Sequence, residues 1–181
     1  MLVNGAVPAT EQKILAALDE LGIAATTVHH PAVFTVAEAK TIRGEVSGAH
    51  IKNLFLRNKK GRMWLITCHE DRQIDLKRIG EFLGAGRFSF ASAERMMKYL
   101  GVIPGAVTPL AVINDATGAV DVVLDQAVLT DALINVHPLH NAATTSISPD
   151  GLLQFLRAMN HEPHIIDLDP LCSELDVGRS V

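Results

Sequence analysis

The stretch AHIKNLFLRNKKGRMWLITC, residues 49–68, decides the fold. Ala49 to Arg57 and Arg62 to Cys68 are rich in strand-forming residues, and the polar run Asn58–Gly61 between them ends in glycine. Two such runs joined by a short polar loop predict a β-hairpin. The second run contains MWLI, residues 63–66, and a continuous apolar run is typical of a strand buried on both faces. The hairpin is therefore expected to lie at the centre of a sheet.

Helix and strand signals lie on both sides of this hairpin. Capping residues precede segments with helical periodicity, which predicts helices beginning after Thr10, Thr35, Asp75, Ser92 and Ser148. Alternating or β-branched segments predict strands over 23–29, 87–91, 110–113, 119–124, 133–136, 142–147 and 164–168. The pair 110–113 and 119–124 is expected to form a second hairpin. The sum is a single α+β domain, a mixed and mostly antiparallel β-sheet surrounded by helices, over residues 1–168, with 169–181 as a C-terminal tail.

The composition excludes several classes of protein. The chain has 181 residues, of which 48% are hydrophobic, and it carries a net charge of -4. Its 16 Lys and Arg residues are outnumbered by 20 Asp and Glu residues, which argues against a broad basic face for duplex DNA. No apolar run approaches the roughly 20 residues of a membrane helix, and no signal peptide is apparent. Cys68 and Cys172 form no CxxC pair. A cytoplasmic protein without disulfides is expected.

Lys52 is out of place in the pattern of its strand. Alternation puts it on one face with Leu54 and Leu56, where an apolar residue is expected. A lysine at such a position can extend its stem along an apolar surface to reach water. Alternatively, it offers a lone ammonium to a phosphate or to a developing oxyanion. The pattern leaves both interpretations open.

The segment Gly101–Pro109, hereafter the glycine loop, cannot form regular structure because two glycines and two prolines interrupt nine residues. Such a loop can direct backbone N–H groups at a substrate carbonyl, or it can be an ordinary connection.

The segment His137–Asn141, hereafter the histidine loop, contains two histidines and is followed by Thr144 and Thr145. Histidine is the usual general base near neutral pH, although β-branched threonines also commonly pack a sheet. Two histidines three residues apart could contribute to a metal site, but no third ligand stands at a recognisable spacing, and no metal is predicted. The histidines at 29, 30, 69, 161 and 164 are expected to be structural or solvated, and Cys68 to be a core residue.

Together these segments resemble the YbaK-like aminoacyl-tRNA editing family, a domain also inserted in bacterial prolyl-tRNA synthetases. The resemblance covers nearly the whole chain and rests on residues 48–56, 73–77, 101–105, 137–141 and 144–148, in this order. Within the family the sequence is most similar to the free-standing alanyl-tRNA(Pro) deacylases. The branch acting on Cys-tRNA(Pro) tends to carry a Gly-Ser-Pro-Phe-Gly-like loop, and here Ile103–Ala106 replaces its Ser and Phe.

The resemblance implies that the protein hydrolyses the ester of mischarged tRNA(Pro), Ala-tRNA(Pro) above all, without a cofactor. It also implies that Lys52, helped by Asn53, holds the phosphate or ribose end of the terminal adenosine. Gly101 and Gly105 would line the aminoacyl end with backbone groups, and His137 would border the side-chain pocket. These implied roles make Lys52, Gly101, Gly105 and His137 the expected catalytic set.

Discrimination against proline is a steric problem, because a pocket can reject the larger amino acid only by being too small for its ring. We expect Val102, Ile103 and His137 to build that wall. Substrate contacts are also expected from Pro104, His140, Asn141, Thr144 and Thr145. The expected partner is a tRNA acceptor end, with transient contact to prolyl-tRNA synthetase or an elongation factor, and no membrane or DNA. The alternatives are a Cys-tRNA(Pro) deacylase and a non-catalytic module that binds a tRNA end or a nucleotide.

Overall fold

The structure, a computed structural model, describes residues 1–32 and 47–172. The helix predicted after Thr35 lies outside these residues. The described helices are α1 (Glu11–Glu20), α2 (Leu76–Phe82), α3 (Ala93–Arg95) and α4 (Pro149–Ala158). Helix α3 continues as a π-helical turn over Met96–Leu100.

The sheet contains eight strands within the described residues. They are β1 (Ala25–His29), β2 (Ala49–Arg57), β3 (Met63–His69), β4 (Ser89–Phe90), β5 (Val120–Asp125), β6 (Ile134–Val136), β7 (Ala143–Ile147) and β8 (His164–Ile166). Their order is β1-β7-β6-β2-β3-β5-β8, and β4 pairs with β2. The β2–β6, β3–β5 and β5–β8 pairs are parallel and the other four are antiparallel, so the expected mixed, mostly antiparallel sheet is confirmed.

The hairpin predicted from residues 49–68 forms the centre of the sheet, as β2 paired with β3. Its register places Lys52 opposite Cys68 and Asn53 opposite Thr67. The first six residues of β3 are buried, which confirms that this strand is covered on both faces.

Two hydrophobic cores lie on the two faces of the hairpin. Phe55 and Leu65 pack with α1, α4 and the glycine loop in the larger core. Leu56, Trp64, Ile66 and Cys68 pack with α2 in the smaller core. Because successive strand residues alternate in direction, this division fixes which side chains of β2 face the glycine loop.

The helix starts agree with the predicted caps. Thr10, Asp75, Ser92 and Ser148 each accept a hydrogen bond from a backbone N–H of the first turn of the helix that follows. These bonds are local, which is why the sequence pattern was sufficient to place them.

The second predicted hairpin is wrong. Residues Pro109–Asn114 form a 3₁₀ helix, not a strand, and Thr108 caps it by accepting a hydrogen bond from the Leu110 N–H. The following strand, β5, pairs in parallel with β3 and β8 instead of folding back on its predecessor. A proline at the first helical position and a threonine cap favour helix here over the apolar strand pattern.

The sheet opens at one point along β2. Strand β6 pairs with β2 only at Ala49 and His50, and β4 pairs with it only at Leu56 and Arg57. Within the described ranges no strand pairs with this edge of β2 between His50 and Phe55. This gap, hereafter the opening, separates the middle of β2 from the end of β6, where the histidine loop begins.

The C-terminal end of the described chain packs against the sheet. Leu168 is fully buried, and Asp169–Leu171 form a 3₁₀ turn. The backbone of Cys172 forms an isolated antiparallel β-bridge with that of Ile74. Residues 173–181 lie outside the described part, and the domain boundary at residue 168 stays a prediction. None of the helices in residues 1–32 and 47–172 is long and apolar enough to cross a membrane.

Candidate active site at the opening of the sheet

Asn53 lies beside the opening and ties the glycine loop to the sheet. Its side-chain amide donates to the Val107 carbonyl at 3.1 Å, and its carbonyl accepts from the Thr67 hydroxyl at 2.7 Å. The backbone of Phe55 pairs across this edge with Ala91, at 2.9 Å. Since backbone direction alternates along a strand, the N–H and C=O of Asn53 point into the opening.

The glycine loop is held in a conformation that depends on its glycines. Gly101 has φ of 66°, and a Cβ there would come within 2.6 Å of the Asn114 amide nitrogen and 2.9 Å of Pro8. Gly105 has φ of 86° and is the third residue of a turn in which the Ala106 N–H donates to the Ile103 carbonyl at 3.1 Å. The exposed tip is therefore Ile103-Pro104-Gly105, and its backbone can approach a ligand closely.

The structure brings the histidine loop to this tip. A Cβ built at Gly105 has the side-chain nitrogen of Asn141 as its nearest neighbour, at 3.9 Å. Asn141 itself is buried, 5% exposed. Gly105 and Asn141, which are 36 positions apart in the sequence, thus meet at the opening.

His137 is held as a neutral imidazole with a defined tautomer. Burial lowers its pKa below the usual value, as do His30 and His140, against the opposing effect of a hydrogen bond to the Ala143 carbonyl. That bond joins Nδ1 to the carbonyl oxygen at 3.1 Å, so Nδ1 carries the hydrogen. The lone pair is left on Nε2, for which the described residues contain no hydrogen-bond partner.

The side chain of His140 is engaged within the protein. Its Nε2 lies 2.9 Å from the Glu11 carboxylate, and its Nδ1 accepts a hydrogen bond from the Ala142 N–H at 3.2 Å. Glu11 also contacts His29 at 2.8 Å. Burial raises the pKa of Glu11, but the hydrogen bond from His140 and the favourable electrostatic interactions with His29 and His140 outweigh it, and the net pKa lies below the usual value.

Thr144 and Thr145 point in different directions from β7. The Thr144 hydroxyl lies 3.0 Å from Nε2 of His30, next to the histidine loop. Thr145 is fully buried and shares a hydrogen bond of 2.9 Å with Thr27 of β1. A ligand at the surface can reach the first threonine but has no access to the second.

Lys52 lies on the opposite face of β2 from Asn53. Its ammonium donates to the Arg72 carbonyl, and its cross-strand neighbour Cys68 belongs to the smaller core. Arg72 in turn contacts the buried Asp125 carboxylate at 2.6 Å. Lys52 and Asn53 are neighbours in the sequence, but their side chains therefore point away from each other, to opposite faces of β2.

Two further predicted residues differ in access. Val102 is 1% exposed and packs in the larger core, whereas Ile103 is 48% exposed at the loop tip. Cys68 is a core residue, as expected, and burial raises the pKa of its thiol to about 12. A thiol with that pKa stays protonated at neutral pH and supplies no nucleophile.

The sequence pattern predicted no functional role for Glu11, His29 or His30. Glu11 looked like an ordinary first-turn acid of a helix, and the two histidines carried no spacing that linked them to position 140. Within residues 1–32 and 47–172, no group of three or more His, Cys, Asp or Glu side chains is placed to hold a metal ion.

Comparison with known proteins assigns the family. A model of the aminoacyl-tRNA editing domain matches residues 30–155. The chain belongs to the aminoacyl-tRNA editing domain family. The match includes the opening, the glycine loop and the histidine loop, and leaves Glu11 and His29 outside.

Similar proteins share nearly the full length of this editing domain. The prolyl-tRNA editing protein ProX of Acetoanaerobium sticklandii is 38% identical over 159 residues, covering 87% of this chain and 97% of ProX. The prolyl-tRNA synthetase associated domain-containing protein 1 of Mus musculus is 41% identical over 157 residues, covering 84% and 92%. A crystal structure of a proposed trans-editing enzyme for prolyl tRNA synthetase shares the fold, with a TM-score of 0.68, 21% identity and coverage of 90% and 98%.

Membership makes this editing domain an aminoacyl-tRNA deacylase, a hydrolase that clears mischarged tRNA and so maintains the fidelity of translation. The opening, with the glycine loop and the histidine loop beside it, is the candidate site for this reaction.

Proposed function

We propose that the protein removes misattached amino acids from tRNA(Pro), with Ala-tRNA(Pro) as its preferred substrate. The observation that carries this proposal is the approach of Gly105 to Asn141, which joins the glycine loop to the histidine loop at the opening. The names of relatives that are 38% and 41% identical support tRNA(Pro) as the carrier.

An aminoacyl ester is an activated acyl group, so its hydrolysis needs no protein nucleophile. Water gives up one proton as it adds to the ester carbonyl, and the carbonyl oxygen becomes an oxyanion. When the oxyanion re-forms the carbonyl, the bond to the ribose oxygen breaks and that oxygen takes the proton, which leaves the free amino acid and the ribose hydroxyl. The backbone N–H groups of Ile103 and Gly105, at the exposed loop tip, stabilise the oxyanion, and Nε2 of His137 accepts a hydrogen bond from the water. Each tenfold of acceleration corresponds to about 1.4 kcal/mol of transition-state stabilisation.

Lys52 is the proposed contact to the terminal phosphate. Its ammonium has three N–H donors, and the described residues engage one of them with the Arg72 carbonyl. Lys52 belongs to the stretch of β2 that, among the described residues, has no strand on one of its two edges, and its long stem allows the head group to turn toward this opening.

Selection for alanine is proposed to depend on Ile103. This side chain is exposed at the loop tip, two residues before the glycine that approaches Asn141, so it can border the space beside the aminoacyl group. His137 forms the opposite border. Val102 supports Ile103 from the core and has almost no surface for a substrate.

The substitution Ile103→Ala is expected to relax this selection. Removing the wall admits larger amino acids, and a few methylene groups in a pocket are worth about 1–3 kcal/mol. The ratio of rates on Ala-tRNA(Pro) and Pro-tRNA(Pro) should therefore fall by about tenfold or more. Ile165→Ala is the matched control because Ile165, on β8, is similarly exposed, at 42%. An unchanged ratio in Ile103→Ala would contradict the assigned wall.

A panel of tRNA(Pro) carrying alanine, cysteine, serine or proline tests the proposed function directly. We expect the fastest deacylation with alanine and a loss with Lys52→Ala, whereas Lys59→Ala, an exposed lysine in the hairpin turn, should behave as the wild type. A preference for cysteine would make the protein a Cys-tRNA(Pro) deacylase. Hydrolysis no faster than the spontaneous rate would leave a binding module.

Charged tRNA is produced by synthetases and consumed by elongation factors, so we place the protein with them in the cytoplasm. Transient contact with prolyl-tRNA synthetase or an elongation factor stays a prediction.

A further inference from the structure

Glu11 joins the N-terminal helix to the histidine loop across 129 residues of sequence. Its carboxylate, 21% exposed, is hydrogen-bonded by Nε2 of His140 at 2.9 Å on one oxygen, and Nε2 of His29 lies 2.8 Å from the other oxygen. Helix α1 is itself fixed, because Ile14 and Leu18 are buried in the larger core. The carboxylate is thus presented from a rigid element.

Both ring nitrogens of His140 are occupied by protein groups. Because Nδ1 accepts the Ala142 N–H, the ring hydrogen of the neutral imidazole is on Nε2 and is donated to Glu11. A substrate contact through this ring would have to break one of these bonds. His140 is better suited to hold the loop than to bind the aminoacyl group.

The histidine loop needs such a support. Leu139, between the two histidines, has φ of 73°, a left-handed conformation that costs free energy in a residue with a Cβ. Strained conformations persist only where the surroundings hold them. Leu139 is buried at 8% exposure, and the residue that follows it is the one that Glu11 holds.

The same N-terminal segment also supports the glycine loop. The Ala9 N–H donates to the Asn114 side chain at 2.8 Å, and the Asn114 amide donates to the Leu100 carbonyl at 2.8 Å, immediately before Gly101. On one side of Thr10, Ala9 contacts Asn114, which holds the start of the glycine loop. On the other side, Glu11 contacts His140 of the histidine loop.

We propose that Glu11 is a positioning residue of the editing site. Through His140 it fixes the conformation of the histidine loop, so that Nε2 of His137 faces the opening while Asn141 meets Gly105. The inference rests on the proposed function and adds a residue that lies outside the part of the chain matched by the family model.

Deacylation kinetics test the proposal with Glu11→Ala, Glu11→Gln and the control Glu20→Ala, an exposed acid at the end of the same helix. A small displacement of a catalytic group is costly, so Glu11→Ala should lower kcat by about tenfold and leave KM within about twofold. Glu11→Gln keeps an acceptor for Nε2 of His140 and should restore most of kcat. Glu20→Ala should match the wild type. An unchanged kcat in Glu11→Ala, or an equal loss in Glu20→Ala, overturns the proposal.

The coupling of Glu11 to His140 is tested by a double-mutant cycle. If the two act as one unit, the double variant Glu11→Ala with His140→Ala should lose no more kcat than either single variant. Losses that multiply would show that the two residues act independently and would overturn the proposed route.

An NMR measurement separates this proposal from the proposed function, because it needs no activity. Long-range ¹H–¹⁵N spectra report the tautomer of each histidine, and we expect hydrogen on Nε2 of His140 and on Nδ1 of His137 in the wild type. In Glu11→Ala the His137 pattern should average between tautomers. Identical patterns in both proteins overturn the positioning role. A protein that hydrolyses no aminoacyl-tRNA but shows the expected spectra refutes only the proposed function.

Discussion

Gly101 combines two constraints in one residue, a left-handed φ and the absence of space for a side chain. The substitution Gly101→Ala brings its Cβ within 2.6 Å of Asn114, whose amide holds the Leu100 carbonyl. We expect a loss of about 2–3 kcal/mol in the free energy of unfolding, from backbone strain and displacement of Asn114. Deacylation should fall by at least about tenfold, since the loop backbone moves. Urea titration and deacylation rates provide the measurements.

Gly84→Ala is the control for this prediction. Gly84 has nearly the same φ, 62°, but among the described residues, apart from its chain neighbours, no atom lies within 4 Å of an added Cβ. Gly84→Ala should lower the free energy of unfolding by about 1 kcal/mol, which is the cost of the backbone conformation alone. Its deacylation rate should equal that of the wild type. Equal effects of the two substitutions on activity would mean that the packing around Gly101 is irrelevant to the site.

Asp115, directly after the 3₁₀ helix Pro109–Asn114, and His161, three residues after α4, form a buried pair at 3.2 Å. Burial raises the pKa of Asp115, but hydrogen bonds from His161, Thr117 and two backbone amides outweigh it and lower the pKa to about 2. Burial lowers the pKa of His161, and its hydrogen bonds to Asp115 and Met159 reverse this, which raises the pKa above its usual value. Both partners are therefore charged in the folded protein under mildly acidic conditions.

Stability should follow these shifts with pH. The contribution of Asp115 is complete above its unfolded pKa of about 3.9 and is lost as the pH falls toward 2. The contribution of His161 is complete below its unfolded pKa of about 6.5 and is lost as the pH rises through its folded pKa. Asp115→Asn should lower the free energy of unfolding at pH 5 by about 2 kcal/mol and flatten the acid limb.

Urea unfolding between pH 2.5 and 8 measures this dependence. Asp121→Asn is the matched control, because it removes an exposed ion pair with Arg62, whose side chain is 66% exposed. It should change the free energy of unfolding by less than about 1 kcal/mol. If both variants show the same acid limb as the wild type, the buried pair does not contribute as described.

At the scale of elements, Asn53 is the connection between β2 and the glycine loop. The substitution Asn53→Asp keeps the acceptor for the Thr67 hydroxyl but replaces the donor to the Val107 carbonyl with a second oxygen. We expect faster amide hydrogen exchange over residues 102–108, a loss of about 1–2 kcal/mol in stability and a lower kcat. Hydrogen-exchange mass spectrometry and kinetics measure these effects.

Asn58→Asp is the matched control. At the far end of β2, the Asn58 amide donates to the Ala85 carbonyl and its carbonyl accepts from the Arg62 N–H, each at 3.1 Å. It should lose similar stability and leave both the glycine loop and kcat unchanged. Normal exchange over residues 102–108 in Asn53→Asp would contradict the role of Asn53.

The elements that the sequence predicted correctly are those whose signals are local. Thr10, Asp75, Ser92 and Ser148 cap the helices that follow them, and the hairpin of residues 49–69 closes over the five residues 58–62. The segment 110–113 was misassigned because a short apolar run fits a buried strand and a buried 3₁₀ helix equally. Leu110, Ala111 and Val112 are completely buried. The apolar pattern therefore indicated the burial of this segment correctly, but not its secondary structure.

For the whole molecule, the charge balance bears on how tRNA is bound. With a net charge of -4 and a site at one opening of the sheet, we expect the protein to engage two or three phosphates near the acceptor end. The logarithm of affinity against the logarithm of salt concentration should then have a slope of about -2, given a slope of about -0.7 per phosphate on a single strand. Fluorescence anisotropy with labelled tRNA at several salt concentrations measures the slope.

Lys52→Ala should make that slope shallower by about 0.7, the share of one phosphate. Glu20→Ala, remote from the opening on the exposed end of α1, should leave it unchanged. A slope steeper than about -5 would indicate a wide basic surface and would contradict binding limited to the acceptor end.

The candidate site was predictable in its parts but not in its assembly. The glycines, the histidine loop and Lys52 each stood out by residue type, and the resemblance put them in one family. The structure adds that Asn53 and Lys52 face opposite sides of β2, and that Gly105 meets Asn141. The pattern of β2 alone implies the first point, whereas the second depends on two distant loops converging.

The sequence by itself determined the hairpin, the helix starts, the α+β class and the family, because caps, turns and alternation act over a few residues. Only the tertiary structure decided that β5 runs parallel to β3, that the sheet opens beside Asn53, and that Glu11 holds His140. Contacts across as many as 129 residues leave no periodic trace in the chain, since each partner satisfies its local pattern wherever its counterpart lies.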